Sequence, residues 1–263
     1  MRALALHPDV IVFVSAIWQT TCTAVRSPEG EEGFVIDSPI LPEELEGLPG
    51  VLEQAGFPVS GLLVTHADWD HLLGRLAFAQ GALGCGETTA ARLRSEPGEA
   101  QRRLRAFDAE HYVVGRPPLG LGSLQPLPVP GRLEIGAGHQ LELHPADGHT
   151  ADGVAYWLPW ARVLVCGDYV SPVEIPMLSA GGSLAVYRST LTRLSELIGQ
   201  AEWVIPGHGA PLPRSRAQEI LAEDDAYLAA LASQPAAAEP PASRSAAPQR
   251  QIHAENVIAL GGS

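Results

Sequence analysis

Histidine and aspartate residues follow four apolar runs of this sequence, at the points where predicted strands end. Both side chains bind divalent cations, histidine through a ring nitrogen and aspartate through a carboxylate oxygen. Because loops at one edge of a sheet sandwich can converge, we expect these residues to form one metal-binding pocket. The four segments are His66-Ala67-Asp68-Trp69-Asp70-His71 after residues 61–64, Gly148-His149-Thr150 after 141–143, Cys166-Gly167-Asp168 after 163–165 and Pro206-Gly207-His208-Gly209 after 203–205.

Each segment also has an ordinary structural interpretation. Asp68 or Asp70 could cap a helix predicted to begin near His71, because an aspartate oxygen accepts hydrogen bonds from the first backbone amides of a helix. The glycine-containing segments around His149 and His208 could be turns. Taken singly, each segment is compatible with a purely structural role, and the metal hypothesis depends on all four together.

The order of the four segments resembles the signature of the metallo-beta-lactamase superfamily. That signature is His-x-His-x-Asp-His, followed by a histidine, an aspartate and a further histidine. The first segment here is His66-x-Asp68-x-Asp70-His71, so Asp68 stands where the family usually has its second histidine. The resemblance extends from the first predicted strand to about residue 230. It implies an α/β protein with the four-layer αββα metallo-beta-lactamase sandwich.

The resemblance further implies a binuclear metal site and a hydrolytic activity. Two divalent ions are expected, with Zn as the first choice and Fe or Mn as alternatives. They would lower the pKa of a water molecule and supply hydroxide near neutral pH, and Asp70, the expected catalytic residue, would orient that hydroxide or accept a proton. The implied ligands are His66, Asp68 and His149 for the first ion, Asp70, His71 and His208 for the second, and Asp168 as a bridge.

Asp68 leaves two further hypotheses open. A hard, anionic oxygen ligand favours Fe or Mn more than an all-histidine site would. Flavodiiron proteins of the superfamily have a glutamate at this position and hold two irons, so a diiron redox or oxygen-handling protein is one alternative. We expect no flavodoxin domain within these 263 residues, so the electron-transfer role of those proteins is not expected here. If Asp68 does not reach the metal, the site would work with one ion, and a non-catalytic, metal-depleted binding module is the other alternative.

Charge limits the partners and substrates that we expect. The 263 residues include 30 acidic and 17 basic side chains, which gives a formal net charge of −13. Such a chain repels phosphate backbones and anionic lipid, so neither nucleic acid nor a membrane is expected as a partner. A small-molecule ester, thioester, lactone or phosphodiester is the expected substrate. No basic residue lies within the four segments, which favours a neutral or weakly charged ester.

The remaining expectations concern organisation and location. Three cysteines without Cys-x-x-Cys spacing are expected to be buried apolar residues. The sequence shows neither a signal-peptide pattern nor a run of about 18 apolar residues, so we expect a cytoplasmic protein. Residues 1–232 are predicted to form the metallo-beta-lactamase-like domain, 233–250 a flexible linker, and 251–263 a tail with apolar residues that could dock. Residues 113–131, rich in Pro and Gly, are predicted to be irregular.

Overall fold

Two β-sheets pack face to face in the computed structural model, and helices cover both outer faces. The structure describes residues 1–136 and 138–261. Three clusters of buried apolar residues fill the spaces between the layers, one between the sheets and one beneath the helices on each side. The predicted four-layer αββα sandwich is therefore confirmed.

The first sheet contains seven strands in chain order. Its first four strands are antiparallel and its last three continue as parallel neighbours. Its strands are β1 (Arg2–His7), β2 (Val10–Val14), β3 (Thr21–Arg26), β4 (Gly33–Asp37), β5 (Gly61–Leu63), β6 (Leu83–Gly86) and β7 (Leu124–Leu127).

The second sheet contains six strands, and their order across the sheet is the reverse of their order in the chain. Its only parallel pair among the described residues is the one in which residues 163–165 lie beside residues 203–205. Its strands are β8 (Gly131–Glu134), β9 (Gln140–Pro145), β10 (Val154–Leu158), β11 (Val163–Val165), β12 (Trp203–Ile205) and β13 (Leu212–Pro213).

The helices divide between the two outer faces. Four of them precede β7 in the chain and lie on the first sheet, and two of the later ones pack on the second sheet. None of the described helices is long and apolar enough to cross a membrane. They are α1 (Pro42–Ala55), α2 (Gly74–Ala77), α3 (Glu87–Ser95), α4 (Glu99–Glu110), α5 (Leu184–Gln200), α6 (Arg214–Ser233) and α7 (Ala247–Ala259).

Strands that are apolar on both faces explain why the two sheets sit inside the sandwich. In β2, Val10, Val12 and Val14 point into the layer between the sheets, whereas Phe13 points to the helices. Successive side chains of a strand point to opposite faces, so an uninterrupted apolar strand is buried from both sides. The polar residues of the metal-ligand segments are thereby confined to the strand ends.

Two regions differ from the sequence-based expectation. The segment 113–131 contains β7, an edge strand that pairs with β6, because an edge position tolerates Pro126. The predicted linker 233–250 contains two short 3-10 turns, the start of α7 and the buried Arg244, whose partners lie far away in the sequence. Residues 262–263 of the predicted tail lie outside the described residues.

Candidate metal centre

The ligand-bearing segments meet because the two sheets are joined at one end. The hydroxyl of Tyr156 in β10 donates to the carbonyl oxygen of Val64, at 2.8 Å, and the backbone amide of Val154 donates to the carbonyl oxygen of Thr65, at 2.7 Å. These bonds fix the end of β5 against the start of β10. His66 comes three residues after the end of β5, so its loop opens onto the loops of the second sheet.

The first cluster of potential ligands consists of His66, Asp68 and His149, all buried. The Nε2 atoms of His66 and His149 lie 3.9 and 3.7 Å from Oδ2 of Asp68. Two imidazole nitrogens and one carboxylate oxygen thus face a common point. This is the arrangement that the resemblance implied for the first metal.

The second cluster consists of Asp70, His71 and His208. The Nε2 atoms of His71 and His208 lie 3.5 and 3.3 Å from Oδ2 of Asp70. Asp70 and His71 belong to a single 3-10 turn, residues 69–71, whereas His208 comes from the loop after β12. One short turn and one distant loop therefore build the second cluster.

Asp168 lies between the two clusters and presents one oxygen to each. Its Oδ2 is 3.6 Å from Nε2 of His66 and 3.4 Å from Nε2 of His149. Its Oδ1 is 3.3 Å from Nε2 of His71 and 3.6 Å from Nε2 of His208. A carboxylate in this position is able to bind two cations at once, one through each oxygen.

The donor atoms fit divalent cations by two independent criteria. Four of them are buried and have no hydrogen-bond partner among the described residues: Nε2 of His66, of His71 and of His149, and Oδ1 of Asp168. Leaving a buried polar atom unpaired costs about 1–3 kcal/mol, so four such atoms in adjacent clusters favour a bound cation. Bond lengths of about 2.0–2.2 Å in a tetrahedral site place neighbouring ligand atoms about 3.3–3.6 Å apart. The distances from Asp70 and Asp168 to the histidine nitrogens lie in this range, and those from Asp68, at 3.7 and 3.9 Å, are slightly longer.

The other ring nitrogen of each histidine contacts an oxygen atom of the protein. Such contacts fix the orientation of an imidazole and determine which nitrogen is left for a metal. Here every Nδ1 is engaged, so every Nε2 faces the site. The contacts are His66 with Oγ1 of Thr65 at 3.0 Å, His71 with Oδ2 of Asp37 at 3.0 Å, His149 with the carbonyl oxygen of Met177 at 2.8 Å and His208 with the carbonyl oxygen of Trp18 at 3.1 Å.

Asp37 is a supporting residue that sequence reasoning missed. It ends β4, and its carboxylate contacts His71 and accepts hydrogen bonds from the amide and the hydroxyl of Thr65, at 2.8 and 2.9 Å. One buried carboxylate therefore positions residues of both ligand clusters, since Thr65 also contacts His66. An aspartate directly after an apolar strand was the available signal.

Arg92 from α3 holds Asp68 through the oxygen that does not face the site. Its Nη2 donates to Oδ1 of Asp68 at 2.7 Å, and its Nη1 donates to Oδ1 of Asp152 at 2.9 Å. Asp152 in turn accepts a hydrogen bond from the backbone amide of Ala67 at 2.9 Å. Burial alone would raise the pKa of Asp68, but the contact with His149 and the positive charges of His66, His149 and Arg92 outweigh it and keep this pKa well below its usual range. Asp68 thus offers one ionised oxygen to the first cluster.

The structure places basic residues near the site, although none lies within the four segments. Besides Arg92, α4 places Nη1 of Arg103 within 3.9 Å of Oδ1 of Asp68, and this side chain is 49% exposed. Neither arginine belongs to the four ligand segments, and sequence spacing gave no sign of their contact with Asp68. A cation on the rim is therefore available to a charged substrate.

The charges of the metal-free centre are strongly coupled. Burial lowers the pKa of His149, but its contact with Asp68 and the charge of Asp168 outweigh this and raise the pKa to about 9. For Asp168, burial favours the neutral acid, yet His208, His71 and His66 together hold its pKa well below the ordinary value. Against the effect of burial, nearby carboxylates likewise raise the pKa values of His71 and His208, whereas burial and the charge of His71 lower the pKa of His66. Without a metal, His71, His149 and His208 therefore retain protons that a bound cation has to displace.

Glu174 is a further acidic residue that sequence reasoning missed. Its Oε1 lies 3.9 Å from Nδ1 of His208, and it forms a third cluster of potential ligands with Asp168 and His208. It belongs to the irregular segment that follows Asp168, where the sequence offered only Pro and Gly as signals. Burial raises its pKa, so the centre has a carboxyl group that accepts a proton more readily than an ordinary glutamate.

Gly207 shows how closely the loops approach each other. A Cβ atom at this position would lie 2.0 Å from Oδ1 of Asp168 and 3.0 Å from Cε1 of His71. No side chain fits there without displacing the carboxylate between the clusters. The glycine before His208 is thus required by the packing of the centre.

An aromatic wall borders the second cluster. The ring of Trp18 lies 5.5 Å from that of Trp69 and 5.1 Å from that of Phe107, with both pairs edge to face. The carbonyl oxygen of Trp18 contacts His208, and the Trp18 residue is 44% exposed. An apolar surface is thus available beside the polar centre.

Comparisons with known proteins agree with this geometry. A sequence model of the metallo-beta-lactamase superfamily matches residues 17–208. Similar solved structures include a metallo-beta-lactamase family protein from Thermus thermophilus, which is 23% identical at a TM-score of 0.67, with 97% of this chain and 93% of that chain covered. The DIM-1 metallo-beta-lactamase is 18% identical at a TM-score of 0.61, with 88% and 98% covered. TTHA1623 in a di-iron-bound form is 22% identical at a TM-score of 0.60, with 80% and 97% covered.

These structural identities are low and show a shared fold, whereas the sequence match covers most of the chain and includes all seven potential ligands. The chain therefore belongs to the metallo-beta-lactamase superfamily, whose members are generally hydrolytic metalloenzymes.

Proposed function

We propose that this protein is a binuclear metal-dependent hydrolase that acts on a small-molecule ester, thioester, lactone or phosphodiester. The observation that supports it most directly is the position of Asp168, whose two oxygens face separate ligand clusters at 3.3–3.6 Å from the four histidine nitrogens. Zn is the proposed metal, because imidazole and carboxylate ligands at tetrahedral spacing suit it.

When bound, two such ions supply a hydroxide nucleophile near neutral pH, so no serine or cysteine nucleophile is needed. The three cysteines are buried, and burial raises the pKa of Cys85 to about 11, which keeps it a neutral thiol. Free thiols in the reduced form are normal in the cytoplasm, the location that we propose.

Asp70 is the proposed catalytic residue. Its carboxylate is buried and faces the second cluster, where it is able to orient a water molecule and accept its proton. Glu174 lies at the edge of the same cluster, and its raised pKa suits a group that passes the proton onward.

The surroundings of the centre indicate what the substrate looks like. Trp18, which is 44% exposed and packs on the buried rings of Trp69 and Phe107, offers an apolar contact. Arg103 offers a half-exposed positive charge beside Asp68. Phosphodiesters and esters with a carboxylate therefore belong to the substrate classes to be tested beside neutral esters. Nucleic acid and membranes are not among the proposed partners.

Metal analysis combined with a substrate screen tests the proposal. The wild-type protein should bind two ions per chain and hydrolyse at least one of the four substrate classes. Asp168→Asn, which keeps the shape of the side chain and removes its charge, should lose metal and activity. Asp225→Asn is the control, because Asp225 lies on α6, is 45% exposed and pairs with Arg188 of α5. Full activity in Asp168→Asn would refute the bridging role.

A diiron redox protein is the second candidate. Asp68 adds a hard oxygen ligand to the first cluster, and the structurally similar TTHA1623 has been solved in a di-iron-bound form. Purified protein with two irons per chain, oxygen or peroxide reduction and no hydrolysis would favour this candidate. A metal-depleted binding module would bind neither metal, which the four unpaired donor atoms argue against.

A further inference from the structure

The chain after α6 packs against the loop that supports two of the ligands. We name residues 169–183 the support loop and residues 242–259 the C-terminal clamp. We propose that the clamp holds the support loop in place and that Asn256 is a positioning residue for the ligand His149. The inference rests on the proposed metal centre, and it concerns residues beyond the 17–208 region that the family match covers.

On its inner side the support loop is bonded to ligand residues. The carbonyl oxygen of Met177 contacts Nδ1 of His149 at 2.8 Å, and the amide of Ser179 donates to the carbonyl oxygen of His149 at 2.9 Å. The hydroxyl of Ser171 donates to the carbonyl oxygen of His208 at 2.7 Å. The support loop therefore contributes to the orientation of one histidine from each cluster.

On its outer side the support loop is bonded to side chains of the clamp. Because the loop has no helix or strand, its buried backbone groups need other partners. Three clamp residues supply them. The bonds are Arg244 Nη1 to the carbonyl oxygens of Ser171 and Glu174 at 3.1 and 2.8 Å, the amide of Ile175 to Oε1 of Gln249 at 3.1 Å, the amide of Leu178 to Oδ1 of Asn256 at 2.8 Å and Asn256 Nδ2 to the carbonyl oxygen of Pro176 at 2.7 Å.

Asn256 binds the two residues on either side of Met177. One amide side chain thus fixes the peptide unit before Met177 and the peptide unit that contains the carbonyl group in contact with His149. Asn256 is fully buried and also donates to the hydroxyl of Tyr227 in α6 at 3.1 Å, so its own position is fixed. Movement of Asn256 would displace Met177 and, with it, the ring of His149.

Arg244 anchors the clamp to α6. Its guanidinium lies 2.7 Å from Asp224 and 3.1 Å from Glu223, and the side chains of Arg244 and Asp224 are each 1% exposed. Burying a polar or charged side chain is unfavourable unless its partners compensate. A helix that merely covered apolar surface would not need these buried polar residues at all.

An alternative interpretation is that α7 only covers apolar surface. It is suggested by Ile252, Val257 and Leu260, which pack on the apolar cluster between the second sheet and its helices. The two interpretations differ in what a polar substitution changes. A cover would alter global stability alone. A clamp would alter the mobility of the support loop and the metal affinity of His149's cluster, because outer contacts of a ligand typically contribute about 10–100-fold to metal affinity.

The test compares Asn256→Ala with Gln251→Ala, which removes an amide side chain from the exposed face of the same helix. Zinc affinity is measured by competition with a chromophoric chelator, well below the unfolding temperature of each variant. Amide hydrogen exchange is followed at Ile175 and Leu178. In Asn256→Ala we expect about tenfold weaker binding of one of the two zinc ions and faster exchange at Leu178, because a supporting contact is lost one step away from the ligand.

Gln251→Ala should match the wild type in both measurements. Wild-type exchange at Leu178 and unchanged zinc affinity in Asn256→Ala would overturn the clamp, whatever its effect on melting temperature. A wild-type protein that takes up no zinc or other divalent ion would instead refute the metal centre itself. The two failures are therefore distinguishable in one set of samples.

Discussion

Arg92→Met should destabilise the metal-free protein far more than an ordinary surface substitution on α3. Methionine retains an apolar stem of similar length and removes the guanidinium that donates to Asp68 at 2.7 Å and to Asp152 at 2.9 Å. The two carboxylates are 12% and 1% exposed, so water does not fully replace the lost partner. Both would be left as poorly compensated charges.

The expected loss follows from this burial. Removing one partner of a buried ion pair costs about 3–5 kcal/mol, and protonated His149 beside Asp68 offsets part of the lost charge, which places this case near the lower end. With an unfolding entropy of about 2.1 cal/mol/K per residue, a loss of 3–5 kcal/mol lowers the melting temperature of this chain by about 5–9 °C. Bound zinc should recover part of the loss, since a divalent cation at Asp68 supplies positive charge in place of Arg92.

Thermal unfolding followed by circular dichroism, in chelator and then in zinc, measures both effects. Arg94→Met is the matched control, because Arg94 lies two residues further along the same helix, is exposed and carries the same charge. The control should change stability by no more than about 0.5 kcal/mol. If Arg92→Met and Arg94→Met melt at the same temperature in chelator, the Arg92 contacts do not stabilise the fold and the argument fails.

Four further predictions concern the centre itself. Gly207→Ala should abolish binding of at least one metal ion, because its Cβ would lie 2.0 Å from Oδ1 of Asp168. The control Gly199→Ala, which has open space around it in α5, should bind metal normally. Equal metal content in the two variants would contradict the packing argument. Metal affinity should fall about tenfold per pH unit below pH 9 for each histidine proton displaced, because the raised pKa of His149, about 9, means that metal binding releases a proton in this range. Calorimetry in buffers of different ionisation enthalpy counts the released protons. A metal affinity that does not change with pH would refute this prediction. Arg103→Ala should raise the KM of an anionic ester about tenfold and leave the KM of a matched neutral ester unchanged. Steady-state kinetics measures both values. Equal changes in the two KM values would exclude a direct charge contact between Arg103 and the substrate. Asp68→His should shift metal preference further towards Zn, because a neutral nitrogen ligand replaces a hard, anionic oxygen ligand. Competition between Zn and Fe or Mn measures this shift, and identical metal profiles would mean that Asp68 is not a ligand.

Local patterns predicted buried strands with potential ligands at their ends, and the family resemblance supplied the four-layer arrangement. Strands such as β10 are apolar at every position, which indicates burial on both faces and hence a strand inside a sandwich. The polar residues at their ends could be found by type and spacing alone. The substitution at position 68 was also visible in the sequence, and it remains the feature on which the choice of metal depends.

The contacts that orient those ligands could not be predicted in the same way. Arg92 binds Asp68 and Asp152 across 24 and 60 positions of the chain, and Asn256 binds Leu178 across 78. No periodicity or turn signal links residues so far apart, because such pairs arise only when separate layers pack together. The predicted linker shows the same limit: its composition favours flexibility, whereas Arg244 within it is buried and bonded to Asp224 and Glu174.

The sequence by itself determined which side chains are available for metal chemistry and the strand ends at which they stand. Tertiary structure alone decided which ring nitrogen of each histidine faces the site, which oxygen of Asp68 is free and which two clusters Asp168 joins. The physical reason is that residue type sets what an atom can bind, while burial and hydrogen bonds from distant elements set where that atom points.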